Sequence, residues 1–130
     1  MIDNHFQIGE VAERVGLSLR TIRYYEEIGL VSPSGRTEGG FRLYTDADIE
    51  RLRLVKALKP VGMSLDTLGE LMECVDLLRE GTAAEAGEAE RRLEGVVALA
   101  LRQCDEMEDR LAAARDTLDR LSVRAARAAR

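Results

Sequence analysis

Tryptophan is absent from these 130 residues, histidine occurs once, cysteine twice, and aromatic residues make up only 4% of the chain. Each shortage excludes something. One histidine, His5, lying in the first few residues, rules out a histidine-rich metal site. Cys74 and Cys104 are too few and too far apart in sequence for a disulfide framework or a close metal-binding pair, so both are expected as free thiols in a reducing cytoplasm. No apolar run approaches the roughly 20 residues of a membrane span, and the N-terminus lacks a basic segment followed by an apolar one, so the chain is expected to be soluble, with no membrane partner. The carboxylates are scattered, and no nucleophile has a neighbouring base, so an enzyme is not expected.

What is present is unevenly placed. The net charge is -5, yet from Arg14 to Lys59 nine lysines and arginines stand against six acids. A locally basic segment inside an acidic chain suits a duplex-facing surface, although this excess alone is weak support. The same segment holds all three tyrosines, two of them adjacent in "RTIRYYEEIG". Neighbouring side chains on a helix point about 100° apart and cannot share one buried face, so one of Tyr24 and Tyr25 must look outward.

Along the chain, "FQIGEVAERVG" spaces Ile8, Val11, Ala12 and Val15 as a helix that Gly16 stops. Ser18 then caps a second helix, with Leu19, Ile22 and either Tyr25 or Glu26 on successive turns before Gly29. Two short helices joined by a tight turn make a helix-turn-helix candidate. "LVSPSGRTEGGFRLYT" alternates Phe41 and Leu43 with Arg42 and Tyr44, predicting a β-hairpin whose turn spans Ser34 to Gly40 and whose returning strand is "FRLY". Thr45 caps a third helix with Ile49, Leu52, Val55 and Leu58 on one stripe, broken by Pro60 and Gly62, and Ser64 caps a fourth that ends near Gly81. Residues 81–90, "GTAAEAGEAE", are small and acidic and are expected to form a joint.

From Leu93 the spacing becomes a heptad: Leu93, Val97, Ala100, Cys104, Met107, Leu111, Ala114, Leu118 and Leu121 step alternately by four and three. This is a coiled-coil seam. A helix from Glu85 to Val123 would be roughly 58 Å long, too long to bury its seam on a small domain, which predicts a homodimer. The expected layout is a DNA-binding domain over 1–80, the joint at 81–90, the dimerisation helix at 91–124 and a basic tail at 125–130.

The motifs "RTIRYYEEIGL", "R...GGFRLYT..D" and "L...GMSLD", running from Ile8 to about Leu71, resemble in combination the DNA-binding domain of the MerR family of bacterial transcription regulators, named for the mercury-resistance regulator. The resemblance implies a mainly α fold: a winged helix-turn-helix with a small hairpin wing, followed by a long helix forming an antiparallel coiled-coil dimer. It implies a homodimer on a pseudo-palindromic site in double-stranded promoter DNA, bending and untwisting an overlong spacer to realign it for RNA polymerase. The second helix would enter the major groove from Ser18, Arg20 and Thr21, with Arg23 on a phosphate and one of Tyr24 and Tyr25 offering its hydroxyl. Arg36 and Arg42 of the wing would reach flanking phosphates, Tyr44 would brace the wing or touch the DNA backbone, and Lys59 would approach phosphate from a second wing.

Beyond Leu121 only "SVRAARAAR" follows, without the cysteines that metal and cluster sensors of the family carry, so no cofactor is expected and any effector is unknown. Cys104, near the middle of the seam, reads first as a small packing residue and alternatively as a thiol that could meet its own copy in the dimer. Cys74 reads as packing between the fourth helix and the coiled coil. The arginines of the tail complement the helix dipole, with contact to DNA, polymerase or an acidic surface as the alternative. Two other classes share these features: an architectural DNA-binding protein without an effector, and a partner-recruiting module in which DNA binding is secondary.

Overall fold

The computed structural model of the chain describes residues 5–130, and its helices begin and end largely at the signals written in the sequence. Helix α1 (Ile8–Val15) stops at Gly16, whose φ of 71° is left-handed and suits glycine. Helix α2 (Leu19–Glu27) starts where the Ser18 hydroxyl accepts the Thr21 N–H at 3.0 Å. Helix α3 (Asp46–Leu58) opens on a reciprocal capping box between Thr45 and Asp48, and α4 (Leu65–Glu80) on Ser64. A 3₁₀ turn at Lys59–Val61 separates these two helices. Helix α5 runs from Ala83 to Ala128.

A three-stranded antiparallel sheet lies beside the helices: β1 (Phe6–Gln7), β2 (Gly35–Arg36) and β3 (Arg42–Tyr44), with β3 in the middle. Phe6 pairs with Tyr44 and Arg36 with Arg42. Strand β1 was not expected, because two residues are too short to show alternation. The Arg14 guanidinium lies 4.2 Å above the Phe6 ring, which ties the strand back to α1. Val11, Ile22, Leu52, Val55 and Leu68 are fully buried and bring α1 to α4 around one core.

Three expectations need correction. The hairpin turn is narrower than Ser34–Gly40, since Gly35 and Arg36 are already paired, and Phe41 lies outside the strand. The alternation itself resolves with Tyr44 fully buried and Phe41 exposed. Residues 83–90 form the first turns of α5 rather than a joint, because Thr82 and Glu85 make a second reciprocal capping box. Ala89 and Val96 are buried, so the core continues past residue 80 into the long helix. Residues 1–4 of the expected first domain lie outside the described residues.

The join of α1 to α3 depends on a lysine that the sequence pattern did not single out. Lys56 Nζ donates to the Val15 carbonyl at 2.8 Å, placing a cation on the C-terminal end of α1, where the helix dipole favours it. A Cβ at Gly16 would lie 2.5 Å from that nitrogen, so a side chain there would meet the strain of the left-handed backbone angle and would also push the lysine tip off the Val15 carbonyl.

Helix α5 spans about 69 Å at 1.5 Å per residue. Its first part packs on α4 and the 3₁₀ turn, and Arg92 pairs there with Glu70 and Glu73 at 3.6 and 3.7 Å. From Asp105 to Arg130 every residue is exposed. Among the described residues no helix is long and apolar enough to cross a membrane.

Candidate nucleic-acid interface

Helix α2 divides its residues cleanly. Ile22 and Tyr25 face the core, whereas Arg20, Arg23, Tyr24 and Glu27, at helical spacings of three and four, line one hollow of the surface. Tyr24 is 47% exposed and Tyr25 only 8%, with ring centroids 5.9 Å apart and planes tilted by 46°. Tyr24 is therefore the outward tyrosine, and Tyr25 a core residue whose position beneath Tyr24 helps fix the outer ring. Ser18 donates its hydroxyl to Thr21 Oγ1 at 2.8 Å while accepting the Thr21 N–H, so both are engaged in starting the helix.

The wing meets α2 at Glu26. Arg42 Nε lies 2.9 Å from Glu26 Oε1 and 2.7 Å from Oε2, and Tyr44 donates its hydroxyl to Oε2 at 3.0 Å. Arg36 approaches the same carboxylate at 3.9 Å through one η nitrogen and donates through the other to the Gly40 carbonyl at 3.0 Å, across the hairpin turn. The turn is closed by Thr37 and by Gly40 at a left-handed φ of 82°. The hydrogen bond and charge of Glu26 raise the Arg42 pKa above its ordinary value, so this guanidinium is a fixed cation. Burial, then the Glu26 contact, pushes the Tyr44 phenol well above the usual tyrosine range.

Tyr44 is thus fully buried with its hydroxyl committed to Glu26; of the two roles open to it, bracing the wing is the one its geometry permits, and contact with a DNA backbone is not. Tyr25 leaves the set of surface candidates because it is buried. Lys59 is exposed at the start of the 3₁₀ turn, where its Nζ donates to the Met63 carbonyl at 3.4 Å. Arg20, Arg23, Tyr24, Arg36 and the half-exposed Arg42 remain as groups able to meet an anionic oxygen. Sequence reasoning missed Glu26 because its partners are 16 and 18 positions away in the chain.

The predicted seam splits along α5. Leu93 and Ala100 pack against the protein's own core, and Cys104 is half-buried where Leu58, Met63, Leu71 and Val96 line an apolar hollow of about 170 Å³. Val97, Met107, Leu111, Leu118 and Leu121 are exposed, and Ala114 with them. Cys74 is a buried free thiol of the core.

Two helices joined by a tight turn, with a hairpin held against the second, define the winged helix-turn-helix class. Residues 6–74 match the family model described as MerR HTH family regulatory protein, and the chain belongs to that family. It is 43% identical over 68 residues to the HTH-type transcriptional activator mta of Bacillus subtilis, covering 52% of this chain and 26% of that one. With the HTH-type transcriptional regulator HmrR of Sinorhizobium medicae it shares 36% identity over 109 residues, 84% of this chain and 67% of the relative. Among solved structures, HiNmlR, a MerR family regulator lacking the sensor domain, bound to promoter DNA, superposes with a TM-score of 0.53 at 29% identity, covering 82% of this chain and 80% of that one. The chain spans 26%, 54% and 65% of the length of the first three curated relatives it matches.

Proposed function

We propose that the chain is a homodimeric transcription regulator that binds double-stranded promoter DNA and acts on RNA polymerase by distorting the promoter spacer. The observation that carries this is the outward face of α2, with Arg20, Arg23 and Tyr24, flanked by a wing whose Arg42 and Arg36 are anchored to the same helix. The DNA-bound neighbour and the family membership support it. In this reading α2 enters the major groove, Arg23, Arg36 and Arg42 hold phosphates, and Lys59 adds a flanking contact. A cytoplasmic, nucleoid-associated location follows from the same reading.

The dimer rests on the bare part of α5. The seam from Leu93 to Leu121 is symmetric about Met107 to within one residue, so two antiparallel copies crossing there bring Leu118 of one to the exposed Val97 of the other, and Leu121 to the edge of Leu93 that its own core leaves open. Charge favours this direction. Residues 81–94 carry four acids against two arginines, and residues 115–130 five arginines against two acids, so antiparallel pairing sets the basic tail on the partner's acidic start. In that register Cys104 is about 9 Å along the axis from its own copy, beyond disulfide reach, and packing is its role.

Selection of bound duplexes from fragmented genomic DNA of the source organism, followed by footprinting, tests the reading. The expected result is an inverted repeat across an overlong promoter spacer, with enhanced cleavage at its centre. Recovery of scattered sites without a promoter, or of none, rejects it.

A further inference from the structure

An acid at the centre of a basic face needs a reason. A carboxylate beside a polyanion-binding surface repels its ligand, so Glu26 lowers affinity unless it improves the cations around it. Its side chain is only 16% exposed and joins three wing groups to α2: Arg42, Arg36 and the buried Tyr44 hydroxyl. Arg42 is held by its Nε edge alone. Among the described residues, both of its η nitrogens are without a protein partner, and the side chain is 32% exposed. A guanidinium held in this way keeps its other donors free for a bidentate contact with phosphate.

We infer that Glu26 is a positioning residue for DNA binding: it locks the wing to α2 and holds Arg42 ready for phosphate. The inference rests on the proposed DNA-binding function. The gain comes from ordering a flexible cation before the ligand arrives, which spares that entropy on binding. The effect of the charge alone has the opposite sign, because deleting an acid next to DNA should tighten binding. The two explanations therefore predict opposite results.

The experiment measures affinity of the full chain for its footprinted duplex over a range of salt, for wild type, Glu26→Gln, Arg42→Ala and the double variant. Glutamine is close in shape to glutamate and keeps an acceptor for Tyr44, so thermal unfolding should change little. Glu26→Gln is expected to weaken binding about twofold to tenfold, the scale of ordering one long side chain. In the Arg42→Ala background the same change is expected to leave affinity unchanged or to tighten it. Arg42 Nε–H exchange, followed by NMR without DNA, should be slow in wild type and fast in Glu26→Gln while the backbone amides of α2 keep their protection, which separates loss of the contact from loss of stability. Tighter binding by Glu26→Gln alone, additive losses in the double variant, or unchanged Nε–H exchange would each overturn the inference. A wild type that binds no duplex defeats the DNA-binding reading and this inference together, whereas a wild type that binds with additive losses defeats only the inference.

Discussion

The two parts of α5 carry one apolar repeat in different surroundings. Up to Cys104 the helix lies on the body of the protein, with Ala89 and Val96 buried and Leu93 and Ala100 packed against the core. Beyond it, Met107, Leu111, Leu118 and Leu121 repeat the same spacing in the open. A heptad thus states that a stripe must be covered and leaves open what covers it. In the first part the chain's own α4 and 3₁₀ turn cover Leu93 and Ala100 and leave Val97 open; there and in the second part the cover is supplied, on our proposal, by another copy.

Substitutions of one kind in the two parts should separate these roles. Val96→Asp places a charge in the covered part and is expected to cost about 3–5 kcal/mol, the scale of an uncompensated buried charge. Unfolding of the body should then be lost as a cooperative transition at every protein concentration, as followed by circular dichroism. Leu111→Asp in the bare part is expected to leave the body folded and convert the dimer to a monomer in sedimentation equilibrium, a loss of about 1–3 kcal/mol of association. An intact Leu111→Asp dimer would mean that the seam has been placed on the wrong face.

The start of α5 offers a smaller test. Removing its cap with Thr82→Ala should cost about 1 kcal/mol, measured by urea unfolding, because the first turns would fray where α5 leaves α4. No loss would return residues 81–90 to the status of a loose joint.

The smallest effect is spectroscopic and belongs to the body alone, since α5 contains no tyrosine. Burial and Glu26 raise the Tyr44 pKa in the folded state, so the unfolded chain releases that proton first. The stability held by Tyr44 is complete below about pH 10 and is lost as pH rises above it. In an absorbance titration Tyr44 should therefore ionise late, together with unfolding, and Tyr44→Phe should remove that late component. A titration in folded protein that Tyr44→Phe changes only by removing one phenol ionising near pH 10 would place Tyr44 at the surface.

The parts legible in the sequence were those whose signals are local. Ser18, Thr45 and Ser64 stand immediately before their helices, and Gly16 immediately after one, so helix boundaries could be read within a few residues. The adjacency of Tyr24 and Tyr25 announced that one must face outward, but the choice depends on where the core lies, which is a property of the assembled fold. Glu26 and Lys56 escaped because their roles exist only across long separations in the chain. The start of α5 was misread for a different reason. "GTAAEAGEAE" is both a small, acidic linker composition and a run of good helix formers, and the pair Thr82 and Glu85, spaced as a capping box, was the signal that distinguishes them.

Because α5 is one unbroken helix from Ala83 to Ala128, it is also a ruler. Each residue inserted beyond Cys104 would lengthen the arm by about 1.5 Å and rotate what lies past it by about 100°. In a crossed pair, insertions of seven residues would nearly restore the seam while moving the two reading heads apart, and other lengths would turn the stripe away from its partner. On the proposed reading, the separation of the half-sites such a dimer occupies would therefore be encoded in helix length, far from the face of α2 that meets the duplex.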